Sequence, residues 1–242
     1  MCEKCGCSDL QASEHDHAVG GTPAHPAAGA LLAHNDRLAE RNRGFFHAKR
    51  VFVVNLLSFS GSGAGLFVER TLAEFGARRR VKALTADFLE QIQAAHHHDE
   101  AHGHAHAAAS DEHPVMDAHA IGHALDHLDL DLTDVLLIVN GGSAACQAVY
   151  DLGESVRVAL FSVRDGALKP LKFPLFFSQA AAVVLNDVDQ AAALHVDLAQ
   201  VHANVRQVAP QAPVFDVASA AGTGLESWYA FLDEGVKQTG RR

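Results

Sequence analysis

The chain has 242 residues, 48% of them hydrophobic, so it is long enough to bury one substantial core. Its formal net charge of -10 argues against a general affinity for nucleic acid or for anionic membranes. No apolar run reaches the roughly 18 residues of a membrane span, and no charged segment followed by an apolar one opens the chain. We therefore expect a cytoplasmic protein that binds neither nucleic acid nor membrane.

Residues 1–30 are rich in Cys, His, Gly, Pro and Ala and show no periodicity, which predicts a flexible tail. The opening segment MCEKCGC holds three of the four cysteines: Cys2, Cys5 and Cys7. Thiolates are soft ligands for nickel, zinc or copper(I), and a C-x-x-C-x-C turn can direct three of them at one ion. We interpret the segment as a metal-binding tail. The alternative is a disordered tail that happens to contain cysteines.

From residue 31 onward the pattern is helical and then alternates between apolar strands and helices. Residues 31–48 predict a helix that leads into the body of the protein. The predicted strands are 51–57, 81–86, 135–140, 156–163, 181–186 and 213–218, and the predicted helices are 66–76, 117–128, 190–206 and 224–236. Short apolar strands separated by helices are typical of a parallel sheet that is buried on both faces. We predict an α/β fold with a doubly wound, mostly parallel sheet, in one domain of residues 31–242.

A His-rich segment, residues 96–113, interrupts this order and has no apolar periodicity, which predicts a flexible insertion. Clustered imidazoles bind nickel, zinc or copper at neutral pH, and a mobile loop would hold several ions weakly. A solvated linker is the alternative. The candidate ligands in this segment are His96, His97, His98, His102, His104, His106 and His113.

Three further histidines, His119, His123 and His127, follow the insertion at intervals of four residues. On a helix they form one stripe. A pair of imidazoles at i and i+4 can chelate an ion, although an exposed polar stripe is the commoner meaning of such a pattern. We keep His119 and His123 as candidate metal ligands.

The segment LLSFSGSGAGL, residues 56–66, resembles a phosphate-binding loop that has lost its lysine. A hydrophobic strand runs into a turn of small residues, and a helical pattern follows. The phosphate-loop pattern G-x-x-x-x-G-K-S/T requires Lys and Ser/Thr where this chain has Ala64 and Gly65. The pattern alone leaves open a site that works another way, a site that has lost its function, and a chance resemblance.

Five segments follow one another along the chain: MCEKCGC, VVNLLSFSGSGAG, DLGESVRVALFSVRDGALKPLKFP, VVLNDVD and SAAGTGLESWYAFL. Together, and in this order, they resemble the HypB family, the GTPases that incorporate nickel into hydrogenases. The resemblance implies the phosphate-loop GTPase fold of the dimerising class. It also implies delivery of Ni(II), with Zn(II) as a second ion, during assembly of nickel-iron hydrogenase, together with other hydrogenase maturation proteins.

The resemblance implies two metal sites. Cys2, Cys5 and Cys7 match the family's tight N-terminal nickel site position for position. The family's second site, at the dimer interface, uses a Cys-His pair and a later Cys. Pro114 and Val115 stand in place of that pair, and of this set only the later cysteine is retained, as Cys146. Nearby histidines would have to complete the second site.

The resemblance also implies a nucleotide site for GTP and Mg²⁺, with several departures. Ala64 replaces the lysine that reaches the phosphates, Gly65 replaces the hydroxyl that holds Mg²⁺, and Val139 replaces an acidic residue. These losses predict impaired binding and hydrolysis, so we assign no catalytic residue. Asn186 and Asp189 keep the amide and the carboxylate with which the family's N-K-x-D motif reads the guanine base, but Asp187 replaces its lysine. The degenerate site comprises Ser60, Gly61, Ser62, Gly63, Ala64, Gly65, Asp87, Asn186 and Asp189.

Three functions are compatible with these observations. The first is a nickel-binding maturation factor with a degenerate GTPase domain, acting as a homodimer and with an intact GTPase relative. The second is an active GTPase whose site has been rebuilt, with Lys169, Lys172 or a residue from across a dimer interface in place of the missing lysine. The third is a His/Cys-rich store for nickel or zinc.

Overall fold

The computed structural model describes residues 26–99, 116–142 and 144–240. The strands are β1 (Phe52–Ser58), β2 (Val81–Leu84), β3 (Val135–Asn140), β4 (Val156–Ser162), β5 (Ala182–Asn186) and β6 (Val214–Asp216). They form one sheet in the order β2-β3-β1-β4-β5-β6, and every pairing is parallel. The predicted doubly wound α/β fold of the phosphate-loop GTPase type is confirmed.

The helices cover both faces of this sheet. They are α1 (Pro26–Lys49), α2 (Ala64–Glu74), α3 (Ala86–Asp99), α4 (Ala118–Leu125), α5 (Ala144–Val149), α6 (Lys169–Lys172), α7 (Pro174–Ser178), α8 (Leu198–Val208) and α9 (Leu225–Gln238). In the described ranges no helix is both long enough and apolar enough to cross a membrane.

Strand β1 shows why the sheet is buried on both faces. Its alternate residues Phe52, Val54 and Leu56 pack with α2 and α9. On the other face, Val53 packs with α1 and α4, and Leu57 packs with α7 and α8. All residues of β1 are buried, as expected for a central parallel strand between two helical layers. The sheet is therefore a rigid frame, and the loop after β1 leaves from its carboxyl edge.

Two buried asparagines fasten α1 to this frame. Asn35 donates to the carbonyl of Asp151 at 2.8 Å and accepts from the amide of Ala118 at 2.9 Å. Asn42 donates to the carbonyls of Ala118 at 2.8 Å and Leu152 at 3.2 Å. Such hydrogen bonds offset the cost of removing the buried amide groups from water. They fix α1 against the start of α4 and against the loop before β4.

Two predicted boundaries of flexible segments are wrong. Helix α1 begins at Pro26, so the helix includes the end of the predicted tail 1–30. Proline suits the first helical position because its missing N–H would have no partner there. Helix α3 runs to Asp99, so the first residues of the predicted insertion 96–113 are helical. The rest of the insertion and the cysteine-rich opening segment lie outside the described residues.

The predicted helix 190–206 is wrong in its first half. The helix begins only at Leu198, because the Asp197 carboxylate accepts from the amide of Ala199 and caps the helix there. His195, just before the cap, has a φ of 54°, in the left-handed region, and cannot continue a helix. Helices α3, α5, α6 and α7 have no counterpart in the prediction because they are short or only weakly amphipathic.

Candidate nucleotide and metal sites

The loop between β1 and α2 has the backbone of an anion-binding turn. Gly61 and Gly63 both have a φ of 79°, a left-handed conformation that glycine adopts without steric cost. Gly63 is also the N-cap of α2, where no side chain caps the helix. The amides at the start of a helix attract anions, as they do in phosphate loops. The predicted residues 60–65 therefore keep the backbone geometry, although not the side chains, of a phosphate loop.

Asn186, at the end of β5, ties this loop to a distant turn. Its Nδ2 donates to the carbonyl of Ser62 at 2.9 Å, and its Oδ1 accepts from the hydroxyl of Ser219 at 2.8 Å and from its amide at 3.1 Å. A Cβ on Gly63 would lie 2.5 Å from that Nδ2, and the φ of 79° is itself unfavourable for other residues, so any side chain here would strain the turn and displace Asn186. The predicted base-reading amide is therefore occupied in holding the loop.

Lys169, one of the two lysines proposed to replace the missing one, lies beside the loop but is already engaged. Its Nζ is 3.0 Å from the carboxylate of Asp165 and 3.9 Å from the ring centroid of Phe59, the first residue after β1. A cation over an aromatic face is stabilised by the ring. The second candidate, Lys172, is exposed on α6. Phe59 was missed by the sequence interpretation because it lies 110 residues from Lys169, whereas Asp165 precedes Lys169 by four residues, a spacing at which ion pairs are common.

The residues that would hold Mg²⁺ are not assembled. Ala64 and Gly65 form the first turn of α2 and carry no side-chain oxygen. Val139 packs against the core on the α2 face. Asp87 is exposed in the first turn of α3, after β2, and β3 lies between β2 and β1. Two strand spacings of about 4.8 Å therefore separate the strand before Asp87 from the strand that leads into the loop.

A carboxylate stands where the family has a lysine beside the base. Asp187 has a φ of 60°, accepts from the hydroxyl of Ser162 at 2.7 Å and lies 3.7 Å from Nε of Arg164. Asp189, the second predicted base-reading residue, is exposed in the following turn. The loop therefore has amides for an anion but lacks the side chains that a magnesium triphosphate needs, and these residues do not fit that group.

Gln147, on α5, is a residue of this edge that the sequence interpretation missed. Its Oε1 accepts from the amide of Ser58 at 3.0 Å, and its Nε2 donates to the carbonyls of Ser58 at 3.1 Å and Gly142 at 3.0 Å. Cys146 precedes it on the same helix, which places this cysteine's backbone near the end of β1. The side chain of Cys146 lies outside the described atoms.

The DLGE segment, residues 151–154, lies at the amino edge of the sheet, opposite the loop. The buried Glu154 carboxylate accepts from Nε of Arg157 at 2.6 Å, from the amide of Leu152 at 2.7 Å and from Nδ2 of Asn55 at 3.2 Å. Asp151 pairs with Arg43 of α1 at 2.7 Å. This segment therefore connects α1, β1 and β4 through hydrogen bonds and ion pairs.

Of the predicted metal ligands, the structure brings together His119 and His123. Their Nε2 atoms are 3.3 Å apart on α4. In the described parts of the chain, no three His, Cys, Asp or Glu side chains are gathered around one point. The other candidates lie outside the described residues or have undescribed side chains: Cys2, Cys5, Cys7, His96, His97, His98, His102, His104, His106 and His113.

Comparison with known proteins identifies close relatives, although no family model matches the sequence. Hydrogenase maturation factor HypB of Azotobacter vinelandii is 36% identical over 217 residues, covering 88% of this chain and 69% of that protein. HypB of Escherichia coli K12 is 32% identical over 221 residues, covering 84% and 70%. The crystal structure of HypB from Archaeoglobus fulgidus is 32% identical with a TM-score of 0.70, covering 84% of this chain and 99% of that one. HypB from Helicobacter pylori, solved in complex with nickel, is 25% identical with a TM-score of 0.71, covering 86% and 98%.

Proposed function

The chain belongs to the HypB family of hydrogenase maturation factors, and from this premise we propose that it is a nickel-binding maturation factor whose GTP hydrolysis is impaired or lost. The Helicobacter pylori relative was solved with nickel, which supports Ni(II) as the ion that this chain carries. We further propose that it acts in the cytoplasm as a homodimer, with hydrogenase maturation proteins and an intact GTPase relative as partners. Zn(II) is a second ion for the same ligands.

The observation that carries the proposal is the contrast between the loop's backbone and its side chains. Gly61 and Gly63 keep the turn, whereas Ala64 and Gly65 supply neither a cation nor a hydroxyl. One charge-assisted hydrogen bond contributes about 1.5–3 kcal/mol, so the missing lysine alone weakens binding by roughly 10- to 150-fold. Phosphoryl transfer depends on positioning and on neutralising charge, so the same losses reduce the rate of hydrolysis.

The nucleotide part is tested by comparing the full chain with the Azotobacter vinelandii relative under identical conditions. We expect GTP to bind far more weakly to this chain in equilibrium titrations with Mg²⁺, and turnover to be negligible. Measurements without Mg²⁺ serve as the control, because a chain that lacks the magnesium ligands should gain little from the ion. Affinity and turnover equal to those of the relative would contradict the proposal.

The metal part is tested at the N-terminal thiols. Three soft donors within the first seven residues should form the tightest Ni(II) site. Changing Cys2, Cys5 and Cys7 together to Ala should abolish the highest-affinity binding and the thiolate-to-nickel charge-transfer absorbance. Cys146→Ala is the matched control with one thiol removed elsewhere. If the triple variant binds nickel as tightly as the parent chain, the N-terminal thiols are not the main site.

A second candidate function is an active GTPase, and the position of Lys169 favours it. Its Nζ packs on Phe59, at the start of the loop, and would need only to leave Asp165 to approach a bound phosphate. In that case the unmodified chain hydrolyses GTP steadily and Lys169→Met abolishes the activity, while Lys172→Met does not. Absence of hydrolysis in the unmodified chain eliminates this candidate.

A further inference from the structure

We propose that His119 and His123 form a separate chelating site for one divalent transition-metal ion, on the face of α4 that borders α1. The inference rests on the proposed nickel function only for the identity of the ion. The proposal is argued from the geometry of His119 and His123. These two residues occupy neither the positions of the family's Cys-His pair nor those of its N-terminal thiols. In this chain that pair is replaced by Pro114 and Val115.

The separation of the two donor atoms fits a single ion. The Nε2 atoms are 3.3 Å apart, and the two rings meet at 80° with their centroids 4.6 Å apart. Two nitrogen ligands at the usual bond length of a tetrahedral zinc ion lie about 3.3 Å from each other. An ion can therefore bridge the two nitrogens with little movement of either ring. Both imidazoles must then carry their remaining proton on Nδ1, so the ion replaces the present Nε2–Nε2 contact.

The helix under the two rings is held in place before any ion binds. Asp117 caps α4 by accepting from the amide of Ala120 at 2.8 Å, and Asn35 and Asn42 bond both backbone groups of Ala118. The opposite face of α4 is buried in the core. A ligand pair on such a fixed helix loses little conformational entropy on binding, which raises affinity relative to the same pair on a loop.

The surroundings leave coordination positions open. His119 and His123 are exposed and line a groove of about 560 Å³ between α1 and α4. Asp126 and Arg41 line the same groove with opposite charges, so the imidazoles must provide the selectivity for a cation. Two protein ligands with room for water are typical of an ion that can be exchanged, because structural sites are closed by four protein ligands. The site therefore suits an exchangeable ion better than a structural one.

The test follows the reactivity of each histidine in the full-length chain. Diethyl pyrocarbonate acylates free imidazole nitrogens, and peptide mass spectrometry reports the modification of each residue with and without Ni(II) or Zn(II). We expect both ions to protect His119 and His123 together. His119→Gln should remove the protection of His123, and His123→Gln should remove that of His119, because a single imidazole does not chelate. His47→Gln, which removes one exposed imidazole from α1, is the matched control and should change neither.

Both variants replace exposed side chains, and far-UV circular dichroism without metal verifies that they fold. Absence of protection in the parent chain, or protection of one ring that survives loss of the other, would overturn the proposal. The C2A/C5A/C7A variant separates this site from the proposed function. If the thiols are the main nickel site, that variant loses tight nickel binding but keeps the protection of His119 and His123.

Discussion

Single side chains decide whether the loop after β1 can hold a triphosphate. The backbone is kept by Gly61 and Gly63 and by the bonds of Asn186, which are internal to the protein. The charged and hydroxyl groups that would face a nucleotide are missing at Ala64 and Gly65. This chain therefore keeps the turn of a phosphate loop without its charged side chain, and one substitution can test what that side chain would contribute.

Restoring the lysine should restore affinity without restoring activity. We expect Ala64→Lys to tighten GTP binding by roughly 10- to 150-fold, the contribution of one charge-assisted contact. Hydrolysis should remain negligible, because Gly65 and Val139 still provide no magnesium ligand. Ala64→Met, of similar length but uncharged, should leave affinity unchanged. Equilibrium titration and phosphate release measure the two effects, and a large gain in turnover from Ala64→Lys would show that magnesium is held in another way.

The glycine of the DLGE segment is required for packing. Gly153 has a φ of 87°, and a Cβ there would lie 2.5 Å from the carbonyl oxygen of Ala39 and 2.8 Å from the amide of Arg43. We expect Gly153→Ala to lower the free energy of unfolding by about 2–5 kcal/mol, from backbone strain plus overpacking. Gly166 has a φ of 82° and a ψ of 160°, a conformation that other residues rarely adopt, with open space around it, so Gly166→Ala should cost only the strain, about 1–3 kcal/mol. Equal losses in chemical denaturation would show that the contact with α1 does not matter.

At the scale of elements, the joint between α1 and the loop before β4 connects the first helix to the sheet. Asn35, Asn42 and Arg43 on one face of α1 bond the backbone and side chains around Asp151. The same helix borders the groove at α4. Any substitution that weakens the contacts of α1 should therefore lower the free energy of unfolding and also alter metal binding at the proposed histidine site.

The ion pair in this joint predicts a pH dependence. Partial burial raises the pKa of Asp151, but the hydrogen bonds from Arg43 and from the amide of Gly153 outweigh it and leave the pKa lowered. A lowered pKa means that the stabilisation is present above the unfolded value of about 3.9 and is lost as the pH falls through the folded pKa. Because both side chains are about one-third exposed, we expect Asp151→Asn to cost only about 1 kcal/mol at pH 7.

This difference between the parent chain and Asp151→Asn should shrink below about pH 4 and vanish at lower pH, as the parent carboxylate becomes protonated. Asparagine keeps an oxygen that can accept from the amide of Gly153, so the comparison isolates the charge. Urea unfolding of both proteins at several pH values measures this difference in the free energy of unfolding. A difference that is independent of pH would mean that the ion pair contributes nothing and that shape alone matters.

At the scale of the whole molecule, candidate metal ligands are distributed over several parts of one chain. The predicted thiol site lies at the start, the histidine-rich segment lies between α3 and α4, and the His119–His123 pair lies on α4. Soft thiolates should hold nickel most tightly, and isolated imidazoles least tightly. The chain would then fill its sites in that order as nickel is added.

Removing the segment beyond α3 should lower the number of bound ions without unfolding the domain. Deleting residues 100–113 removes four histidines and leaves the cores under the sheet intact. We expect fewer Ni(II) ions per chain at saturation and an unchanged melting temperature. The same-length variant in which His102, His104, His106 and His113 become Gln should show the same reduction. An unchanged ion count in both would make the segment only a linker.

The sequence alone was sufficient for the sheet and for the family. Runs such as 135–139 are apolar throughout because a central parallel strand is buried on both faces, and this pattern can be read locally. The glycines of the loop after β1 are likewise local, since the turn needs φ values that only glycine adopts easily. The chain's departures from the family at Ala64 and Gly65 needed no coordinates.

Only the tertiary structure decided what the retained polar residues do. Asn186 looked like a base-reading amide, but it holds Ser62 and Ser219, which are 124 and 33 residues away in the chain. Sequence spacing placed His119 and His123 on one stripe, but only the side-chain positions show a separation that fits one ion. Periodicity records which face of an element is buried, whereas hydrogen-bond partners and metal ligands are chosen through space by packing, which no local pattern contains.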